Sequence, residues 1–167
     1  LFEHMTVIEN VMVGAHSRSY PALWGALSGS VLHRPFAQPA VETTMRNRAF
    51  ELLDFMGLGQ KMDEGAEDLA YGERRRLEIA RALAIEPRLL LLDEPAAGMT
   101  HQEMDKTVEL LMALKDKHTI IVVEHDMDFV RSLQSPITVL HQGKVLAEGD
   151  MNKIQNDPKV VEVYLGE

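Results

Sequence analysis

The sequence predicts an α/β fold with parallel strands and a helical region ahead of them. Three observations carry that expectation. Leu89-Leu90-Leu91-Leu92 and Thr119-Ile120-Ile121-Val122-Val123 are short apolar runs that do not alternate with polar residues. Each therefore reads as a strand buried on both faces, as in a parallel sheet. Between them runs a helical stretch with Met104, Val108, Leu111 and Met112 on one face, opened by Thr100 and Glu103 at capping-box spacing. Strand, helix and strand make a βαβ unit, whose crossover should be right-handed.

Composition bounds the rest. The chain has 167 residues, enough for one domain or most of one. It is 46% hydrophobic and 26% charged, an ordinary soluble globular balance. Seventeen Lys and Arg face 26 Asp and Glu, a net charge of -9. That argues against a chain whose main business is gripping nucleic acid. Cysteine is absent, which excludes disulfides, zinc-thiolate sites and a Cys nucleophile. No apolar run approaches the roughly 20 residues a membrane helix needs. No signal peptide is visible. The chain opens at Leu1, without a Met and directly in a structured pattern, so a fragment or processed product is expected.

Taken in order, Thr6 and Glu9 form a capping box for a helix with Val7, Ile8, Val11, Met12 and Ala15 on one face. From Ser17 to Pro39 the pattern is broken by Pro21, Gly25, Gly29, Pro35 and Pro39 around Leu23, Trp24 and Leu27, which reads as a variable loop. A second helix is expected from Val41 to Met56, with its stripe at Val41, Met45, Ala49, Leu52, Leu53 and Met56 and a stop at Gly57. A polar stretch, Gly59 to Asp68, precedes Leu69-Ala70-Tyr71-Gly72-Glu73. A helix from Arg74 to Glu86 follows, ended by Pro87. Beyond the βαβ unit come a short helix from Met127 to Ser132 and a hairpin turning at Gln142-Gly143. A last helix opens at Asp157-Pro158 and ends near Leu165.

Ligands of open parallel sheets gather at the carboxyl ends of the strands. The first such end carries Asp93-Glu94-Pro95 and the second Glu124-His125-Asp126. An Asp there can hold Mg²⁺ through water, a Glu can orient or deprotonate an attacking water, and a His can hydrogen-bond a phosphate oxygen. Together these are half of a nucleotide-hydrolysis site. A solvated strand end is the plain reading, and four leucines running into Asp-Glu-Pro weigh against it. Gly72, opening a helix, adds an anion site of free N–H groups.

These motifs, in this order and at these intervals, resemble the ATP-binding subunits of ABC transporters. Leu69-Ala70-Tyr71-Gly72-Glu73 resembles the signature motif and Leu89 to Asp93 resembles Walker B. Glu94 then stands as the catalytic glutamate, Ala97-Gly98-Met99-Thr100 as the D-loop, and His125 as the switch histidine. The Asp-Glu-Pro-Ala-Ala-Gly-Met run and the closing Val-Tyr-Leu-Gly resemble importers of branched-chain amino acids and of urea or amides. The resemblance implies a P-loop NTPase core, here partial, with a helical subdomain at 1–70 that includes the variable loop 17–39. It further implies a C-terminal part of the core at 71–149 and C-terminal helices at 150–167. It implies ATP and Mg²⁺ as cofactors, with Asp93 serving the metal, Glu94 and His125 serving hydrolysis, and residues 69–73 serving a partner subunit's ATP in trans. The implied partners are a second ATP-binding subunit, membrane permease subunits and, indirectly, a solute-binding protein, with no nucleic acid. The implied location is the inner face of a bacterial plasma membrane, on its cytoplasmic side.

The chain departs from the family pattern in places. Ala70 replaces the signature Ser and removes a hydroxyl. Tyr71 replaces the first Gly, Glu73 the Gln, and Thr100 the D-loop Asp. No Gly-x-x-x-x-Gly-Lys-Ser/Thr occurs: Gly57 to Lys61 lacks the Gly-Lys pair, and Gly143-Lys144 is a hairpin turn. The family's Walker A and Q-loop would precede Leu1, so a C-terminal portion, inactive by itself, is expected. Two alternatives stand beside this reading: a non-catalytic interaction fragment, and the C-terminal half of a DNA-maintenance ATPase. The second would need an upstream coiled coil.

Overall fold

In a computed structural model the chain is described over residues 1–15 and 38–165, the side chains of 38–42 and 165 excepted. Most of the loop expected at 17–39, with Leu23, Trp24 and Leu27, lies outside the described residues. Its last two, Gln38 and Pro39, already belong to a helix, where a first-turn proline costs no intrahelical hydrogen bond. The described chain divides into two units, Leu1–Val123 and Glu124–Glu167.

The first unit begins with a helix over residues 7–15 (α1). Its expected capping box is present: Glu9 Oε2 accepts from the Thr6 amide at 2.9 Å, and Thr6 Oγ1 accepts from the Glu9 amide at 3.3 Å. Val7, Ile8 and Val11 are buried as the periodicity requires. So is Asn10, whose amide group donates to the carbonyls of Phe2 and Thr6 at 3.0 Å, while its Oδ1 accepts from the Phe2 amide. Just before α1, Thr6 bridges to Gly65, and the Val7 and Ile8 amides donate to the Glu64 and Met62 carbonyls. The polar stretch ahead of residue 69 is thereby pinned.

Helix α2 spans Gln38–Phe55. Ala49, Leu52, Leu53 and Met56 are buried on the expected stripe, and Met45 is half-buried. Gly57, at φ +68, ends it with paired bonds from the Gly57 amide to the Asp54 carbonyl and from the Leu58 amide to the Leu53 carbonyl. That is a Schellman closure, and the two leucines it brings together are both fully buried. Helix α3 spans Tyr71–Leu83. It starts three residues ahead of the expected Arg74, so the Ala-Tyr-Gly-Glu run is its cap and first turn.

Strands β1 (Leu89–Asp93) and β2 (Thr119–Val123) pair in parallel, Leu91 opposite Ile121 and Asp93 opposite Val123, and helix α4 (His101–Leu114) connects them. His118 Nδ1 bonds the Pro87 carbonyl at 2.7 Å and holds the two strand entrances level. The expected burial on both faces is corrected here. Leu90 is buried, but Leu89, Leu91, Ile121 and Val123 are 47 to 66% exposed. These four lie on one face by the period of two, and no layer of the described chain covers that face.

The second unit holds α5 (Met127–Ser132), the antiparallel hairpin β3 (Ile137–His141) and β4 (Lys144–Gly149), α6 (Met151–Gln155) and α7 (Pro158–Val160). A π-helical turn, Val161–Leu165, follows. The hairpin turns at Gln142 and Gly143, both at positive φ, the geometry that follows strand twist. Asp126, Asp150 and Asp157 cap the three helices in order. No described helix is long and apolar enough to cross a membrane.

Candidate functional site

Leu69 is buried and anchors the turn into α3. Ala70 is the N-cap, in extended conformation, and has no side-chain acceptor for the helix's free N–H groups. Glu73, at the third helical position, makes the reciprocal half of a capping box. Its Oε2 accepts from the Ala70 amide at 3.1 Å and from Lys61 Nζ at 2.8 Å. Burial pushes the Glu73 carboxyl up, but the Lys61 and Ala70 hydrogen bonds together hold it below the usual carboxylate range. Glu at this position, in place of Gln, is thus matched by a cation.

Gly72 lies hard against the Glu103 side chain of α4. A Cβ built on it would stand 2.5 Å from Glu103 Oε1 and 2.7 Å from Glu103 Cδ. Only glycine lets that carboxylate reach the first turn of α3. Glu103 comes from α4, where its Oε2 accepts from the Thr100 amide at 2.9 Å and the Thr100 hydroxyl at 2.8 Å. Bonds from the Thr100 amide and hydroxyl hold its carboxyl below the usual range. Thr100 is an N-cap, as the spacing required. A second contact joins the same two segments: a Cβ on Gly98 would lie 3.1 Å from the Tyr71 ring. The segments expected as signature and D-loop are therefore in direct contact within one chain.

The arginine triplet after Glu73 is occupied locally. Arg74 donates to the carbonyls of Glu67 and, at 3.1 Å, Leu69. Arg75 pairs with Glu78 at 2.8 Å, donates to the Tyr71 hydroxyl at 3.0 Å and lies 5.4 Å from the centre of its ring. Arg76 is buried, and its Nε donates to the Met56 carbonyl at the end of α2. Lys61, Arg76 and Glu103 lie outside the motifs by which the sequence marks its site. Lys61 and Arg76 find their partners 12 and 20 positions along the chain, where no local pattern marks them, whereas Glu103 is marked by its i, i+3 spacing to Thr100.

At the end of β1, Asp93 is exposed and Glu94 turns out of the strand at φ +46, its amide donating to the Val123 carbonyl at 2.9 Å. A non-glycine residue in this region is uncommon and marks a position held by its surroundings. Pro95 and Ala96 are buried, and turns from Glu94 to Ala97 and Ala96 to Met99 lead to Thr100. Asp93 suits Mg²⁺, which takes one or two carboxylates and completes its shell with water and phosphate oxygens. Among the described residues no group of three or more His, Asp or Glu is arranged for a metal. In the second unit, the His125 side chain is exposed. The buried Glu124 carboxylate lies 4.0 Å from its Nδ1 and accepts from its amide at 3.1 Å.

Comparison with known proteins agrees with this geometry. Residues 1–97 match the ABC transporter family model, and residues 144–167 match that of the branched-chain amino acid ATP-binding cassette transporter. The chain is 40% identical to the high-affinity branched-chain amino acid transport ATP-binding protein LivG of Escherichia coli strain K12, over 100% of this chain and 64% of that protein. It is 38% identical to BraF of Pseudomonas aeruginosa, a protein of the same description, with the same coverage. The chain thus spans less than two thirds of the length of these relatives. Among solved structures, the ADP conformation of MJ1267, an ATP-binding cassette of an ABC transporter, superposes with a TM-score of 0.77 at 28% identity, covering 99% of this chain and 64% of that one. A nucleotide-free ATP-binding cassette gives 0.76 at 27% identity. The chain has a partial P-loop NTPase fold of the ABC ATPase type and belongs to the ABC transporter family.

Proposed function

We propose that this chain works within the ATP-binding subunit of an importer for branched-chain amino acids. The observation that carries the proposal is the contact of the Leu69-to-Glu73 turn with the Ala97-to-Thr100 loop, directly beyond Asp93 and Glu94 at a parallel strand end. The names of the relatives and the match at 144–167 support the substrate class over urea or amides.

In this reading Asp93 would hold Mg²⁺ through water, and Glu94 takes a proton from the attacking water. His125 donates to a phosphate oxygen. The first turn of α3, residues 69–73, offers N–H groups to the nucleotide of a second ATP-binding subunit. When bound, Mg²⁺ neutralises charge on the phosphates. Residues 1–70 face the permease, a solute-binding protein delivers the substrate, and the subunit sits on the cytoplasmic face of the membrane.

The test is ATP turnover in a polypeptide that carries a Walker A segment ahead of Leu1. Glu94→Gln should lower the rate by on the order of 10²–10⁴ while ATP stays bound. An unchanged rate overturns the role of Glu94. The 167 residues by themselves should show no turnover above a Glu94→Gln control. They contain no Walker A sequence, whose backbone N–H groups and Lys make most triphosphate contacts.

A further inference from the structure

Position 76 falls in the buried stripe of α3, in line with Gly72, Ile79 and Leu83 at helical spacing. That stripe calls for an apolar side chain, and an arginine stands there. Arg76 is 7% exposed. Its Nε donates to the Met56 carbonyl at 3.2 Å, across 20 positions of chain. The closure at Gly57 takes up the carbonyls of Leu53 and Asp54 and leaves that of Met56 outside it. Arg76 therefore supplies a cationic donor at the C-terminal end of α2, where the helix dipole favours one. Its Nη1 is buried and has no hydrogen-bond partner among the described residues. A buried guanidinium with an unmet donor is a poor source of stability, because an apolar residue of similar volume avoids the desolvation cost. What it does supply is direction: a charged donor of fixed plane sets where the end of α2 lies against α3.

We propose that Arg76 is a positioning residue that clasps the end of α2 to α3, so that a shift of α2 is carried along α3 to its first turn. That turn touches the loop beyond Asp93 and Glu94, where Tyr71 lies against Gly98. The Lys61–Glu73 pair also meets α3, but it comes from the loop after α2 and is partly exposed, where an ion pair holds less firmly. The Arg76 bond is buried and reaches the helix end itself. This deepens the proposed function and rests on its reading that residues 1–70 face the permease. Movement of the permease against α2 would then reach α3 through Arg76.

The chain has no cysteine, so two introduced ones carry spin labels without background. Phe50 on α2 and Ile85 just beyond α3 are 45% and 42% exposed and suit the labels. In the 167-residue chain with Phe50→Cys and Ile85→Cys, the distance between labels should show one narrow distribution. Adding Arg76→Met should broaden or shift it, while the melting temperature stays at or above that of the parent because the desolvation cost is gone. Adding Arg76→Lys, which keeps a cationic donor, should leave it narrow. An unchanged distribution in Arg76→Met overturns the clasp. Equal broadening in both variants also overturns it, since the effect would then belong to packing of the side chain. The second measurement is ATP turnover of the polypeptide with a Walker A segment ahead of Leu1, with and without permease subunits. Arg76→Met should cut the response to permease about 2- to 30-fold, and Arg76→Lys should retain it. An equal response in wild type and Arg76→Met overturns the coupling. A wild-type polypeptide with no turnover above its Glu94→Gln control overturns the proposed function instead, and the spin-label result still decides the clasp.

Discussion

Lys61 Nζ and Glu73 Oε2 meet at 2.8 Å, joining the loop before α3 to its first turn. The same carboxylate oxygen also accepts from the amide of Ala70, the cap residue of α3. Glu73, Glu9 and Glu103 each have carboxyls held below the ordinary range, Glu73 against the opposing pull of burial. A depressed folded-state pKa stabilises the fold above the unfolded value and loses that stabilisation as pH falls through the folded one. Melting temperature should therefore fall as pH drops below about 4.3. The decline should be shallower in Glu73→Gln, which has less to lose. Parallel profiles for the two proteins would show that Glu73 contributes nothing.

Leu91 and Ile121 are register partners on the uncovered face of the two-stranded sheet, 66% and 50% exposed. A flat apolar strand pair is a template for association with another chain. Replacing both by Thr keeps β-propensity while removing apolar surface. Light scattering should show less self-association in the double variant, with the melting temperature little changed. Equal scattering would mean that this face does not drive association.

Leu53 and Phe50 test the register of α2. Leu53 is fully buried against the Schellman closure, whereas Phe50 is 45% exposed. Leu53→Ala should cost about 2–5 kcal/mol. Phe50→Ala should cost about 0.5 kcal/mol or less. Denaturant unfolding of the two variants measures the difference, and a reversed order would place the helix a step out of register.

Gln134 follows the C-cap of α5 with φ +47, and its side chain is exposed. Glycine adopts this conformation without the Cβ penalty. Gln134→Gly should stabilise the chain by about 0.5–1 kcal/mol, its greater unfolded-state entropy offsetting part of the gain. Chemical denaturation would show the midpoint rising, and a fall would mean that the Gln side chain makes a contact worth more than the strain.

Much of the chain was legible because its signals are local. Thr6 with Glu9, Thr100 with Glu103, Asp157 with Pro158, and Gln142-Gly143 each act over three residues or fewer, and each produced the expected cap or turn. Four leucines ending in Asp-Glu-Pro gave the parallel strand and the placement of Asp93 and Glu94 at its end. The start of α3 lies three residues ahead of the position its sequence predicts, because Ala-Tyr-Gly at the cap lacks the usual side-chain acceptor. Only the tertiary structure decided which distant groups meet. Lys61 reaches Glu73 across 12 positions, Arg76 reaches the Met56 carbonyl across 20, and His118 reaches Pro87 across 31. Glu103 meets Gly72 only because α3 and α4 pack side by side. The apolar faces of β1 and β2 likewise read as core in sequence, since residue type records what a strand can bury. Whether a layer lies over it depends on the three-dimensional packing, and here one face is covered and the other is open.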